Sequence, residues 1–185
     1  MQDVQSKTDT RNLNIERVGI KGLKTPLKIL VRGGGFQNVA GTINMFVNLH
    51  KSQKGTHMSR FVEIVNDHLD EPIEIFKLPK VLEIVKEKLD ADTAFIEIAF
   101  DYFMEKIAPI SKKTSLMDYK VRFIGKKNCE QSKYSIEIKI PVSSVCPCSR
   151  DISLFGAHNQ RGVVTVKLAL DHEIFLEEII ELVES

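Results

Sequence analysis

Pro141-Val-Ser-Ser-Val-Cys146-Pro-Cys148-Ser-Arg150-Asp-Ile-Ser-Leu-Phe-Gly156-Ala-His158-Asn-Gln-Arg161-Gly162 stands between two runs of alternating apolar residues. The flanking alternation reads as two strands, and the stretch between them as one long connection. Connections of this length inside a domain are usually functional or disordered. This one concentrates two of the three cysteines, a histidine, two arginines and Gln160. Thiolate and imidazole are natural ligands of zinc and related divalent metals. The same pair also serves nucleophilic catalysis. Cys146-Pro-Cys148 is too tight for an ordinary disulfide between its own members, and Pro147 holds the residue before it extended. A lone Cys or His reads more simply as a buried small side chain. Here the clustering favours a site.

Working outward, Tyr134, Ile136, Ile138, Ile140 and Val142 alternate before the stretch, and Val164, Val166, Leu168 and Leu170 after it. Asp171 is positioned to cap a helix with the stripe Phe175, Ile179, Ile180 and Val183. Upstream, Ala94 to Met104 and Met117 to Phe123 alternate again. Earlier still, Val18–Ile20 and Pro26–Val31 read as short strand pieces, and Val39 to Leu49 as a strand. Gly33-Gly34-Gly35 reads as a hairpin turn, since no G-K-[ST] follows to make a phosphate loop. Two helices come between the strand pairs. The first is capped by Thr56, with the stripe Met58, Phe61, Val62, Val65 and Leu69. The second has Pro79 in its first turn and the stripe Leu78, Val81, Leu82, Val85 and Leu89. His57 and Arg60 fall off the first stripe, either as a solvated turn or as part of an anion site at the helix N-terminus.

Composition narrows the classes. The chain has 185 residues, a formal net charge of +1 and 43% hydrophobic residues. That length buries a real core. Near-neutral charge gives no chain-wide case for nucleic acid. No apolar run approaches a membrane span. Three cysteines, an odd number, argue against a disulfide framework. Cys129 reads as structural or incidental, near a hairpin turn. The polar residues 1–12 read as a flexible arm with no secretory signal. The expected location is the cytoplasm, whose reducing conditions suit free thiols.

The element order is ββααββ followed by ββα. Its class is α+β, an antiparallel sheet with helices layered on one face. The expected division is the arm 1–12, a first module 13–126, and the start of a second module 127–185 that carries the Cys/His stretch. An incomplete module leaves an open sheet edge, so another segment or another chain is expected to complete it.

Gly55-Thr-His-Met-Ser-Arg-Phe61, Pro141 to Arg150, and Gly156-Ala-His-Asn-Gln-Arg161 resemble GTP cyclohydrolases of the type IB, FolE2-like family, as do Asp3-Val-Gln5 and Arg17 to Ile20. The resemblance implies the tunnelling fold, in which a ββααββ unit is used twice per subunit. It implies hydrolysis of GTP to 7,8-dihydroneopterin triphosphate and formate, the entry to folate-type pterins. It also implies a divalent metal (zinc, manganese or iron) that activates water for attack at C8 of guanine. Carried onto this chain, Cys146 and His158 are the metal ligands and catalytic residues. Cys148 is a further catalytic residue, as ligand or proton-transfer partner. Charge and position in the motifs suggest His57, Arg60 and Arg161 as substrate contacts. GTP is the expected partner, with no nucleic acid or membrane, in a homo-oligomer whose expected size is a tetramer.

Family members run longer, and their later segment supplies a further carboxylate ligand and a guanine-binding Glu. The expectation is therefore that this polypeptide alone is weakly active or inactive. Two rivals remain. A nitrile reductase of queuosine synthesis on the same fold would use its thiol as nucleophile without metal. A non-catalytic module would close a structural metal with four protein ligands, drawing on His57 or Cys129.

Overall fold

Five alternating stretches become one antiparallel sheet in a computed structural model that describes residues 13–51, 53, 55–69, 71–152, 156 and 158–185. The arm read over residues 1–12 lies outside the described residues, as do Phe155 and Ala157. The strands are β1 (Ile15–Leu30), β2 (Phe36–Leu49), β3 (Ala94–Ile107), β4 (Thr114–Lys127), β5 (Ser132–Val145) and β6 (Asn159–Ala169). They follow one another across the sheet in chain order. Helices α1 (Met58–His68) and α2 (Leu78–Leu89) join β2 to β3. A short α3 (Pro147–Ile152) joins β5 to β6, and α4 (Leu176–Glu184) follows β6. The class is α+β, and the arrangement is compatible with the tunnelling fold.

Period-two alternation puts every second strand residue on one face. Ile43, Met45, Ile96, Ile98, Val121, Ile136, Ile138 and Ile140 form that buried face. The helix stripes pack on it: Phe61, Ile64 and Val65 from α1, Leu78, Leu82 and Val85 from α2, and Ile179 and Ile180 from α4. The opposite face is not covered by helices and carries polar groups such as Asn44, Glu97 and Arg122.

Several local readings need correction. The two pieces read at Val18–Ile20 and Pro26–Val31 are one strand. Register shifts between Ile15 and Val18 and between Ile20 and Leu23 break the alternation, as bulges do. Gly22 sits in the second shift with φ 74, and its N–H donates to Asn44 Oδ1 at 2.8 Å. Thr56 does not cap α1. It is buried, and His57 precedes the helix without a side-chain cap. Asp171 does not cap α4 either; its carboxylate bonds His172. The helix starts at Leu176, where the Glu178 carboxylate accepts the Phe175 N–H at 2.8 Å. The Gly33-Gly34-Gly35 turn is as expected, with φ of 87, 96 and 91.

The sheet is continuous at one end only. Pairing between β2 and β3 runs from Val47–Ala94 to Thr42–Ala99 and stops. Pairing between β4 and β5 stops at Lys120–Lys139. The hairpins β1–β2, β3–β4 and β5–β6 stay paired beyond those points. The far end of the sheet therefore separates into three two-stranded ribbons. The Gln37 side-chain amide bridges the first gap, donating to the Phe103 carbonyl and accepting its N–H, both at 2.9 Å.

Candidate active site

The third ribbon carries the cysteine stretch. Sequence reading made all of Pro141–Gly162 a connection, but β5 continues to Val145 and β6 begins at Asn159, with Val142 opposite Gly162 and Val145 opposite Asn159. Only the segment from Cys146 to His158 links them. The ladder continues one step past its last strand pair, because the Cys146 N–H donates to the His158 carbonyl at 3.3 Å. Residues directly opposite in an antiparallel pair share a face, with Cβ atoms about 4.5–5.5 Å apart. The alternation that sends Ile136, Ile138 and Ile140 toward the helices also sends Ser144 and Cys146 to that side. On β6 it sends Gln160 and His158 there. Ser144 and Gln160 are themselves a cross-strand pair, one step below the thiol and the imidazole. Ser144 had no signal of its own in the sequence beyond its two-residue spacing from Cys146.

Arg161 behaves differently. It pairs with Ser143, and the same alternation puts it on the opposite face of the ribbon. Cys146 is half-buried, while Cys148, in the first turn of α3, and His158 are exposed. From Ile140 to Val145, about 17 Å at the usual strand rise, the β5 side of the ribbon is no longer paired with β4. The ribbon exposes Val145 (55%), Ile152 (87%) and Val163 (63%), side chains that a lone surface would not be expected to display together.

His57 and Arg60 lie at the other end of the sheet. They follow β2, whose last residues pair with the start of β1 and β3. The Arg60 guanidinium donates to the Lys88 carbonyl at 2.8 Å, which ties the first turn of α1 to the last turn of α2. Cys129 is also at this end, in the turn between β4 and β5, with its Sγ 3.8 Å from the Asp92 carbonyl. Along β5, from Ser132 to Val145, the two ends are about 45 Å apart. One chain therefore joins Cys146 to His158, but it does not bring His57, Arg60 or Cys129 to them. A closed four-ligand shell drawing on His57 or Cys129 is not formed within the chain.

Among the described residues no three of His, Cys, Asp and Glu converge as a metal cage. The opposed thiol and imidazole fit a zinc-type ion in chemical kind and supply half of a tetrahedral donor set.

Fold and site together define an α+β protein, compatible with the tunnelling fold, in which Cys146 and His158 face each other at a ribbon tip. A family model described as type I GTP cyclohydrolase folE2 matches residues 1–185. Among curated relatives, a protein from Nitrosococcus oceani named GTP cyclohydrolase FolE2 is 45% identical over 185 residues, covering all of this chain and 69% of the relative. Proteins of the same name from Methylobacillus flagellatus and Syntrophus aciditrophicus are 46% and 45% identical, with 69% and 72% of each covered. The chain belongs to the type I GTP cyclohydrolase FolE2 family.

Proposed function

We propose that this chain carries out the reaction of its family, hydrolysis of GTP to 7,8-dihydroneopterin triphosphate and formate. The observation that carries the reading is the opposed pair Cys146 and His158, joined through the Cys146 N–H, inside a chain matched throughout by the family model. Family membership gives the nitrile-reductase alternative no support.

Cys146 and His158 are the residues that would hold a divalent metal, whether zinc, manganese or iron. When bound, such an ion lowers the pKa of water by several units and so supplies a nucleophile for the poorly electrophilic C8 of guanine. The chain's part is to present a sulfur and a ring nitrogen from adjacent strands. The hairpin ladder holds their backbones in register. Cys148, two residues on and exposed, is placed to serve as a further ligand or to carry a proton to or from the opening ring. His57 and Arg60 suit the triphosphate. Arg60 commits one of its five donors to the Lys88 carbonyl and keeps the rest for phosphate oxygens. Arg161 is assigned to substrate from the other face of the ribbon.

These groups meet only if copies of the chain assemble. A homo-oligomer, with a tetramer as the proposed size, would set the α1 end of one copy against the separated β5–β6 ribbon of another. The exposed apolar side chains of that ribbon support this arrangement. The division into a module 13–126 and a second module beginning in 127–185 belongs to the same proposal. It rests on the helix pair between β2 and β3 and on the shorter β5–β6–α4 repeat. The three cysteines are free thiols, which suits the reducing cytoplasm. No helix among the described residues is long and apolar enough to cross a membrane.

Formate release from GTP with added manganese or zinc tests the reading. Weak activity that falls to background in both Cys146→Ala and His158→Ala is expected. Undiminished release from Cys146→Ala would overturn the assignment.

A further inference from the structure

The face of the sheet opposite the helices carries an aromatic and cationic recess unrelated to the Cys/His ribbon. Phe46 and Phe95 are directly opposite across β2 and β3. Both point away from the core and are only half-buried. Around them the same face is mostly polar. The Arg17 guanidinium lies over the Phe95 ring, 4.4 Å from its centroid. Lys126 Nζ approaches the same ring at 5.2 Å. Lys126 is also directly opposite Lys133. Like charges directly opposite in a sheet are destabilising, and among the described residues no carboxylate pairs with either lysine. The recess beside Arg17, Phe46 and Phe95 runs on past Ile124 and Lys126 to Lys133 and Lys167. Its one lining acid, Glu97, is already occupied, with its two oxygens bonded to Arg122 and Asn44 at 3.1 Å each; Glu137, directly opposite Lys167 across β5 and β6, lies 3.8 Å from Arg122. The whole chain carries only +1, so this local cationic excess comes from placement.

We propose that this recess is a second nucleotide-binding site, in which the Phe46–Phe95 pair and Arg17 take a planar base and Lys126, Lys133 and Lys167 take its phosphates. An arginine stacked on an aromatic ring offers its outer face to a base. The three lysine amines supply the charge a di- or triphosphate needs. A single mononucleotide fits better than a nucleic acid strand, because the aromatic pair is not repeated along the face. The next row carries Asn44, Glu97, Ile124 and Ser135, with no second stacking ring. The site is separated from Cys146 by about 40 Å along β5 and does not depend on the catalytic proposal.

The test is calorimetric titration of GTP into the full chain without added metal, alongside guanosine, tripolyphosphate and an oligonucleotide. The expected result is GTP binding that survives Cys146→Ala together with His158→Ala. It weakens about tenfold or more in Lys126→Gln with Lys133→Gln, surface positions whose change leaves the core intact. Phe95→Leu, which keeps an apolar side chain, is expected to bring GTP affinity down to that of tripolyphosphate. Unchanged affinity in the double lysine variant would overturn the site. So would tripolyphosphate binding as tightly as GTP to the unaltered chain, or the oligonucleotide binding more tightly than GTP.

Discussion

Replacing Tyr102 by phenylalanine isolates the contact that seats α4. The Tyr102 side chain is 2% exposed, and its hydroxyl donates to Glu177 Oε1 at 2.7 Å. The same oxygen accepts the Arg32 backbone N–H at 2.9 Å. Glu177 is 8% exposed, and its other oxygen has no partner. Tyr102→Phe removes one hydroxyl and leaves no sizeable cavity, so the packing term is small. What is lost is a hydrogen bond to a charged acceptor, about 1.5–3 kcal/mol. A chain of this size loses about 2–4 °C per kcal/mol, so the melting temperature should drop by about 3–12 °C. Glu181, by contrast, pairs with Arg32 where both side chains are nearly half exposed, and Glu181→Gln should shift the midpoint far less than Tyr102→Phe. Urea unfolding of both variants at fixed protein concentration gives the comparison, with midpoints shifting and m unchanged. A Tyr102→Phe loss within about 0.5 kcal/mol, the ordinary range of a neutral surface change, would refute this account of how α4 is held.

Two further outcomes follow from the same geometry. Burial, then the hydrogen bond to Glu177, raises the hydroxyl pKa of Tyr102, and burial with Glu184 does the same for Tyr119. A raised pKa means stability is complete below the unfolded value near about 10 and is lost as pH rises above it. Alkaline unfolding should therefore begin above about pH 10 and flatten in the Tyr102→Phe, Tyr119→Phe double variant, as followed by circular dichroism. A Cβ at Gly19 would lie 2.0 Å from the Met45 carbonyl oxygen, whereas at Gly41 it would meet the end of the Leu27 side chain at 2.1 Å. Gly19→Ala should thus cost more than Gly41→Ala, since a ladder carbonyl yields less than a side-chain methyl; overpacking of this kind costs about 1–3 kcal/mol, measurable by thermal melts.

The strands were legible wherever the helices cover the sheet, because burial on one face enforces alternation. Ile136, Ile138 and Ile140 announced β5, but Ser143, Ser144 and Val145 lie beyond that cover. Nothing selects apolar residues there, so the separated end of the ribbon read as loop. The bulges in β1 hid its continuity for a related reason, since each shift flips the apolar phase. Cys146 and His158 were found by residue type, and their opposition came from the hairpin register. The separation of His57 and Arg60 from them was not legible. Charge and motif position carry no information on which end of a sheet a residue occupies. The Tyr102–Glu177 bond joins elements far apart in sequence and left no local pattern.

Cobalt substitution followed by absorption spectroscopy tests the central claim most directly, because thiolate coordination gives a ligand-to-metal charge-transfer band in the near ultraviolet. The account predicts that band in the unaltered chain, its loss in Cys146→Ala, and weakened cobalt uptake in His158→Ala. A band that persists unchanged in Cys146→Ala, or cobalt bound with no thiolate signal at all, would contradict it.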